Sequence, residues 1–192
     1  MNFKSFIVGV LLTFSGFVTA EGVKLPVDVH GVITNRPVCS AFNIPVQYHA
    51  VNRLALSQHN ASTAAAVRHP LTGQPTILFN LKSFMEFSPE FQMWVFSHEC
   101  AHWKLGHLSK PYNTPINGLE YEERDADCIA AKDLVSMGFS VDQLNIVLED
   151  IEKEQQRLHD LMAAPPAGVI KRPHDGKQRR NHAKTCMDEA HR

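Results

Sequence analysis

The pentad His98-Glu99-Cys100-Ala101-His102 constrains this chain more than any other stretch. Two imidazoles four residues apart share a face only on a helix, where they can grip one divalent ion. The flanks supply the ends such a helix needs. Ser88 is a capping residue, Pro89 suits the first turn, and Gly106 suits the stop. Phe91, Val95, His98, His102 and Leu105 recur at helical spacing between them. Glu99 lies beside the imidazole face, where a carboxylate meets an attacking water and not the ion itself. Cys100 is offset by two residues from both histidines and points away from them. His107, just past Gly106, reads as a helix-end histidine and stays outside the ligand set.

Two imidazoles leave a zinc site short of a protein ligand. The next apolar-periodic segment, Leu119 to Met137 with Gly138 behind it, offers Glu123 and Asp127 four residues apart. Glu123 is the candidate third ligand. Asp127 would accept the free ring N–H of a ligand histidine and fix its tautomer. A third helix opens at Ser140, with Gln143 completing a capping box, and carries the stripe Leu144, Val147, Leu148, Ile151, Leu158 and Leu161 before Pro165-Pro166 ends it. The fold expectation is α+β, mainly helical, with a short sheet beside the motif helices.

H-E-x-x-H followed by Glu123-x-x-Ala-Asp127 resembles the gluzincin metallopeptidases. The likeness is closest to the minimal, minigluzincin type that includes CaaX-prenyl endopeptidases, HtpX-like proteases and their soluble periplasmic relatives. It covers about Pro75 to Leu134. It implies a zincin-like metallopeptidase core and one Zn2+ per chain held by His98, His102 and Glu123. It further implies peptide or protein substrates, with Glu99 as general base and Asp127 in support. Ala130 matches a small residue that lets the helices approach, and Ile77 to Asn80 resembles the family's active-site edge strand. Relatives add a tyrosine, histidine or arginine at the oxyanion. Tyr112, Tyr121, His107, His159 and Arg157 are the candidates here, with His159 and Arg157 ranked first because a third helix often closes the cleft. Arg124 departs from the family pattern, and its membrane helices and helical repeats are absent. Leu105 and Leu108 stand where a metzincin needs glycine and histidine. A non-catalytic exported zinc protein, adaptor or chaperone-like, is the alternative reading.

Outside the motifs, residues 1–20 read as a signal peptide. Lys4 is the basic start, Phe6 to Leu12 the apolar core, and Val18-Thr19-Ala20 the small-residue cleavage site. The expectation is a catalytic domain at 21–166 in the periplasm or another extracytoplasmic space, with no transmembrane span after cleavage. Residues 167–192 form a basic, solvated tail able to make peripheral contacts. In such a compartment Cys39–Cys186 and Cys100–Cys128 are the expected disulfides. Residues 48–68, free of glycine and proline, predict a helix, and Thr76 to Asn80 a strand that could offer an open edge to an extended substrate. With 19 Lys+Arg against 20 Asp+Glu there is no broad basic field, which argues against a nucleic-acid partner.

Overall fold

The computed structural model describes residues 23–28, 31–34, 36, 39–41, 44–52, 56, 61, 63–69, 71–109, 116–162 and 176–192. Residues 1–20, expected to be a signal peptide, and the 163–175 stretch lie outside them. The elements are the short strands β1 (Ser40–Ala41) and β2 (Ile44–Pro45), then β3 (Gln47–Ala50), β4 (Ala64–Arg68) and β5 (Pro75–Phe79). The helices are α1 (Leu81–Phe84), α2 (Pro89–Lys104), α3 (Ile116–Ser136), α4 (Val141–Met162) and α5 (Gly176–Ala190), with a 3-10 turn at His107–Ser109 after α2. This is the expected α+β chain. Among the described residues no helix is long and apolar enough to cross a membrane.

The motif helix is the centre of the molecule. Ser88 accepts the Phe91 N–H at 3.1 Å, Pro89 takes the first turn, and Gly106 ends the run at φ 72°. Residues Phe91 to His98 are all buried, as are Cys100 to Trp103, so α2 is enclosed on nearly every side. α3, α4 and the sheet supply that enclosure. Gln92 is buried to 1% exposure, but it accepts the Ile33 N–H and donates to the Gly31, Phe84 and Phe87 carbonyls, so its amide is satisfied. Behind α2, Phe79, Phe84 and Phe96 meet at ring distances of 4.9–5.4 Å. Ala126, Ala130 and Ala131 are fully buried on α3, and their small side chains allow its close packing. The capping box at Ser140 and Gln143 forms, and Gln143 also holds the Val23 backbone at both its N–H and its carbonyl.

Three expectations give way. Residues 48–68 are not one helix: β3 and β4 occupy the two ends of that stretch. The apolar strand β5 recruits both of them, β3 parallel on one side and β4 antiparallel on the other. Ladder hydrogen bonds and burial against α2 outweigh the helix preference of Ala64 to Ala66. For the same reason Ile77 to Phe79 are not at an edge. The sheet order is β3-β5-β4, and the edge strand beside the motif helix is β4. Finally, the basic segment is not a solvated tail. Gly176–Ala190 is a helix that packs on α3 and α4 and buries Ala183, Cys186 and Met187.

The cysteine pairing is also corrected. The bonds are Cys39–Cys100 and Cys128–Cys186, with Cα separations of 5.7 and 5.2 Å. Glu123 and Asp127 occupy the α2-facing side of α3. Cys128, about 100° further round the helix, turns to α5 instead. Cys100 faces away from the histidines, as its offset implies, and meets the segment leading into β1.

Candidate metal centre

α2 presents His98 and His102 one turn apart, and α3 crosses it so that Glu123 meets both rings. His98 Nε2 lies 3.1 Å from His102 Nε2, while Glu123 approaches them at 3.3 and 3.5 Å. A tetrahedral zinc with bonds of about 2.0–2.1 Å separates its ligand atoms by about 3.3 Å. His98 faces Oε2 and His102 faces Oε1, and two imidazole nitrogens with one carboxylate gathered this closely are a donor set that fits Zn2+. His98 is 4% and His102 9% exposed, whereas the Glu123 side chain keeps 40% of its surface, so solvent reaches the cluster from the α3 side.

Asp127 supports His98 from behind. Its Oδ1 lies 2.8 Å from His98 Nδ1, so the ring donates there and leaves Nε2 free to ligate. Arg179 of α5 donates to both Asp127 oxygens, from Nε at 2.9 Å and from Nη2 at 2.7 Å. Its guanidinium lies 5.1 Å from the Trp94 ring centre, and Trp94 also packs on His98. His102 Nδ1 lies 3.0 Å from His107 Nδ1, so the 3-10 turn after Gly106 supports the second imidazole. Glu99 accepts the Ala66 N–H from β4 at 2.6 Å.

The charges are tightly interlocked. Burial opposes a charged His98, but the hydrogen bonds it donates to Asp127 and Glu123 outweigh it and raise its pKa to about 10. Burial and the His98 charge push His102 down to about 3. The two rings thus carry one positive charge between them, on His98, in the ion-free protein. Burial also opposes ionisation of Glu123 and Asp127. The His98 hydrogen bond holds Glu123 below the usual carboxylate range, and the Arg179 charge does so for Asp127. Burial pushes Glu99 up.

The fold therefore brings His98, His102, Glu123, Glu99 and Asp127 together. It does not bring His159, which is exposed on α4. Arg157, ranked beside it, pairs with Glu86 at 3.2 Å and donates to Ser83. Tyr112 lies outside the described residues, and Tyr121 is exposed on α3. The cation that does arrive is Arg179, from a segment whose basic composition reads as solvated surface. Its signal in the sequence is its register with Ala183, Cys186 and Met187, one apolar stripe through a basic helix. β4 is signalled by the turn residues His69-Pro70 and Gly73, which place an apolar run before β5 as in a hairpin.

No protein-family model, curated protein or solved structure matches this chain.

Proposed function

We propose that this protein is a zinc-dependent endopeptidase of the minimal gluzincin type, acting on peptide or protein substrates in the periplasm or another extracytoplasmic space. The observation that carries the reading is the convergence of His98, His102 and Glu123: the two Nε2 atoms lie 3.1 Å apart, and the Glu123 carboxylate meets His98 through Oε2 at 3.3 Å and His102 through Oε1 at 3.5 Å.

Zinc, when bound, supplies a Lewis acid for the scissile carbonyl and lowers the pKa of a water. The side chains do the rest. His98 and His102 offer Nε2, with Asp127 and His107 holding the rings by Nδ1. Glu99, one residue along the helix from His98, takes a proton from the attacking water and returns one to the leaving amine. Burial raises its pKa above the usual carboxylate value, the direction that suits a group which both accepts and releases a proton. Ala66 N–H orients the carboxylate from the edge of the sheet. The outward backbone of β4 gives an extended substrate a strand to pair with, alongside Glu99.

The test is digestion of a denatured protein panel by the mature protein and by Glu99→Gln. Turnover by the wild type and its loss in the variant, with equal zinc content, supports the assignment. Equal turnover in both overturns it, and zinc binding with no turnover by either returns the adaptor reading.

A further inference from the structure

We infer that Cys128, His182 and Cys186 form a second, sulfur-containing metal site, which becomes available when the Cys128–Cys186 disulfide is reduced. The three ligand groups come from two helices. His182 and Cys186 are one turn apart on α5 and share a face, and Cys128 stands opposite them on α3. His182 Nε2 lies 3.5 Å from the Cys128 sulfur and 3.8 Å from the Cys186 sulfur. Zinc bonds of about 2.0 Å to nitrogen and about 2.3 Å to sulfur place tetrahedral neighbours about 3.6 Å apart. The imidazole therefore already stands where such an ion requires it, against both sulfurs. Thiolates with one imidazole favour soft or borderline ions, Zn2+ and Cu+ among them.

Access and chemistry are consistent with this. Cys128 and His182 are only partly buried. His182 shares a cavity of about 240 Å³ with Glu123, Arg124 and Arg179, so small solutes reach the ring. A dithiol reductant breaks the S–S bond by exchange. It leaves as its own cyclic disulfide, and Cys128 and Cys186 each gain a hydrogen. Each thiol then gives its proton to solvent as it ligates, and the sulfurs swing apart to admit the ion. In the oxidised protein His182 Nε2 lies 3.1 Å from the Arg124 carbonyl and can donate to it. Ligation uses that nitrogen's lone pair, so its proton moves to Nδ1, while the Arg124 carbonyl, inside α3, keeps its helical hydrogen bond.

The same two helices carry Asp127 and Arg179. The redox state of Cys128 and Cys186 therefore decides whether α3 and α5 are joined by a covalent bond or by an ion, next to the first centre. The site stands independently of the peptidase reading.

Cobalt(II) is the probe, because thiolate ligands give a sulfur-to-cobalt charge-transfer absorption that the nitrogen and oxygen ligands of the first centre do not. The mature protein is titrated oxidised, and again after treatment with dithiothreitol and its anaerobic removal. The band is expected in the reduced protein only, absent from Cys128→Ser/Cys186→Ser, and to need at least about tenfold more cobalt in His182→Ala. A reduced wild type without the band overturns the proposal. So does a band that survives in the double variant, since it then arises at Cys39 and Cys100. An unchanged affinity in His182→Ala, a substitution at a half-buried position, overturns it even if the double variant fails to fold.

Discussion

Arg179 clasps the Asp127 carboxylate with two hydrogen bonds, of 2.9 and 2.7 Å, and Asp127 in turn holds His98 at 2.8 Å. The C-terminal helix thereby reaches the metal centre through one carboxylate. Removing Arg179 leaves Asp127 buried with one partner fewer, and a broken buried pair costs about 3 kcal/mol. The His98 ring loses its fixed direction as well. Arg179→Ala is expected to unfold at lower denaturant and to bind zinc about 10- to 100-fold more weakly in a chelator competition. Arg179→Lys should recover only part of either loss, because an ammonium cannot span both oxygens. Wild-type zinc affinity in Arg179→Ala would remove this coupling.

How much of this was legible in the sequence follows from where each signal is stored. His98, His102, Glu123 and Asp127 are legible because helix periodicity alone decides which residues share a face, and both helices have clear ends. Arg179 and the Cys128–Cys186 pairing are not. Their positions depend on how α5 docks, which no local pattern encodes. β4 fails differently: three alanines favour a helix in isolation, and only pairing with β5 overrides them. Cys100 shows both sides, since its direction follows from its offset to the histidines while its partner does not.

Zinc binding should depend on pH through one proton. Burial disfavours a charged His98, yet Asp127 and Glu123 raise its pKa from 6.5 to about 10, so the ion-free protein holds that proton at neutral pH. That shift stabilises the ion-free fold fully below the unfolded pKa of 6.5, and the contribution is lost as pH rises through about 10. Zinc must expel the proton, so its affinity should move the other way, rising about tenfold per pH unit between about pH 6.5 and about pH 8.5. Titration calorimetry in buffers of different ionisation enthalpy should count close to one proton released per ion. A flat affinity across that range would place the proton elsewhere.

The Cys39–Cys100 bond ties the N-terminal segment to the motif helix across 61 residues. On the chain-entropy model, closing a loop of that length stabilises the fold by about 4 kcal/mol. Cys39→Ala/Cys100→Ala is expected to lose stability on that scale in urea unfolding. Because Cys100 faces away from the histidines, the folded variant should still bind zinc with near wild-type affinity at low temperature. A stable variant that has lost zinc would show that the bond shapes the site directly.

Ala66 separates the role of the sheet edge from the role of the sheet. The Asn80 N–H donates to the Thr63 carbonyl at one end of the β4–β5 hairpin, and the His69 N–H donates to the Gln74 carbonyl at the other. The alternation of an antiparallel ladder then puts Ala65 and Val67 in bonds with β5, while Ala64, Ala66 and Arg68 face outward. The Ala66 N–H goes to Glu99 accordingly. Proline at 66 removes a donor that the ladder does not use, whereas proline at 65 removes one that it does. Ala66→Pro should therefore keep its fold and its zinc but lose turnover of extended peptides by about tenfold or more, because Glu99 loses its orienting donor. Ala65→Pro should instead lower the melting temperature. Circular dichroism, metal analysis and peptide hydrolysis on the two variants distinguish these outcomes. Full activity in a folded Ala66→Pro would show that Glu99 does not depend on that N–H.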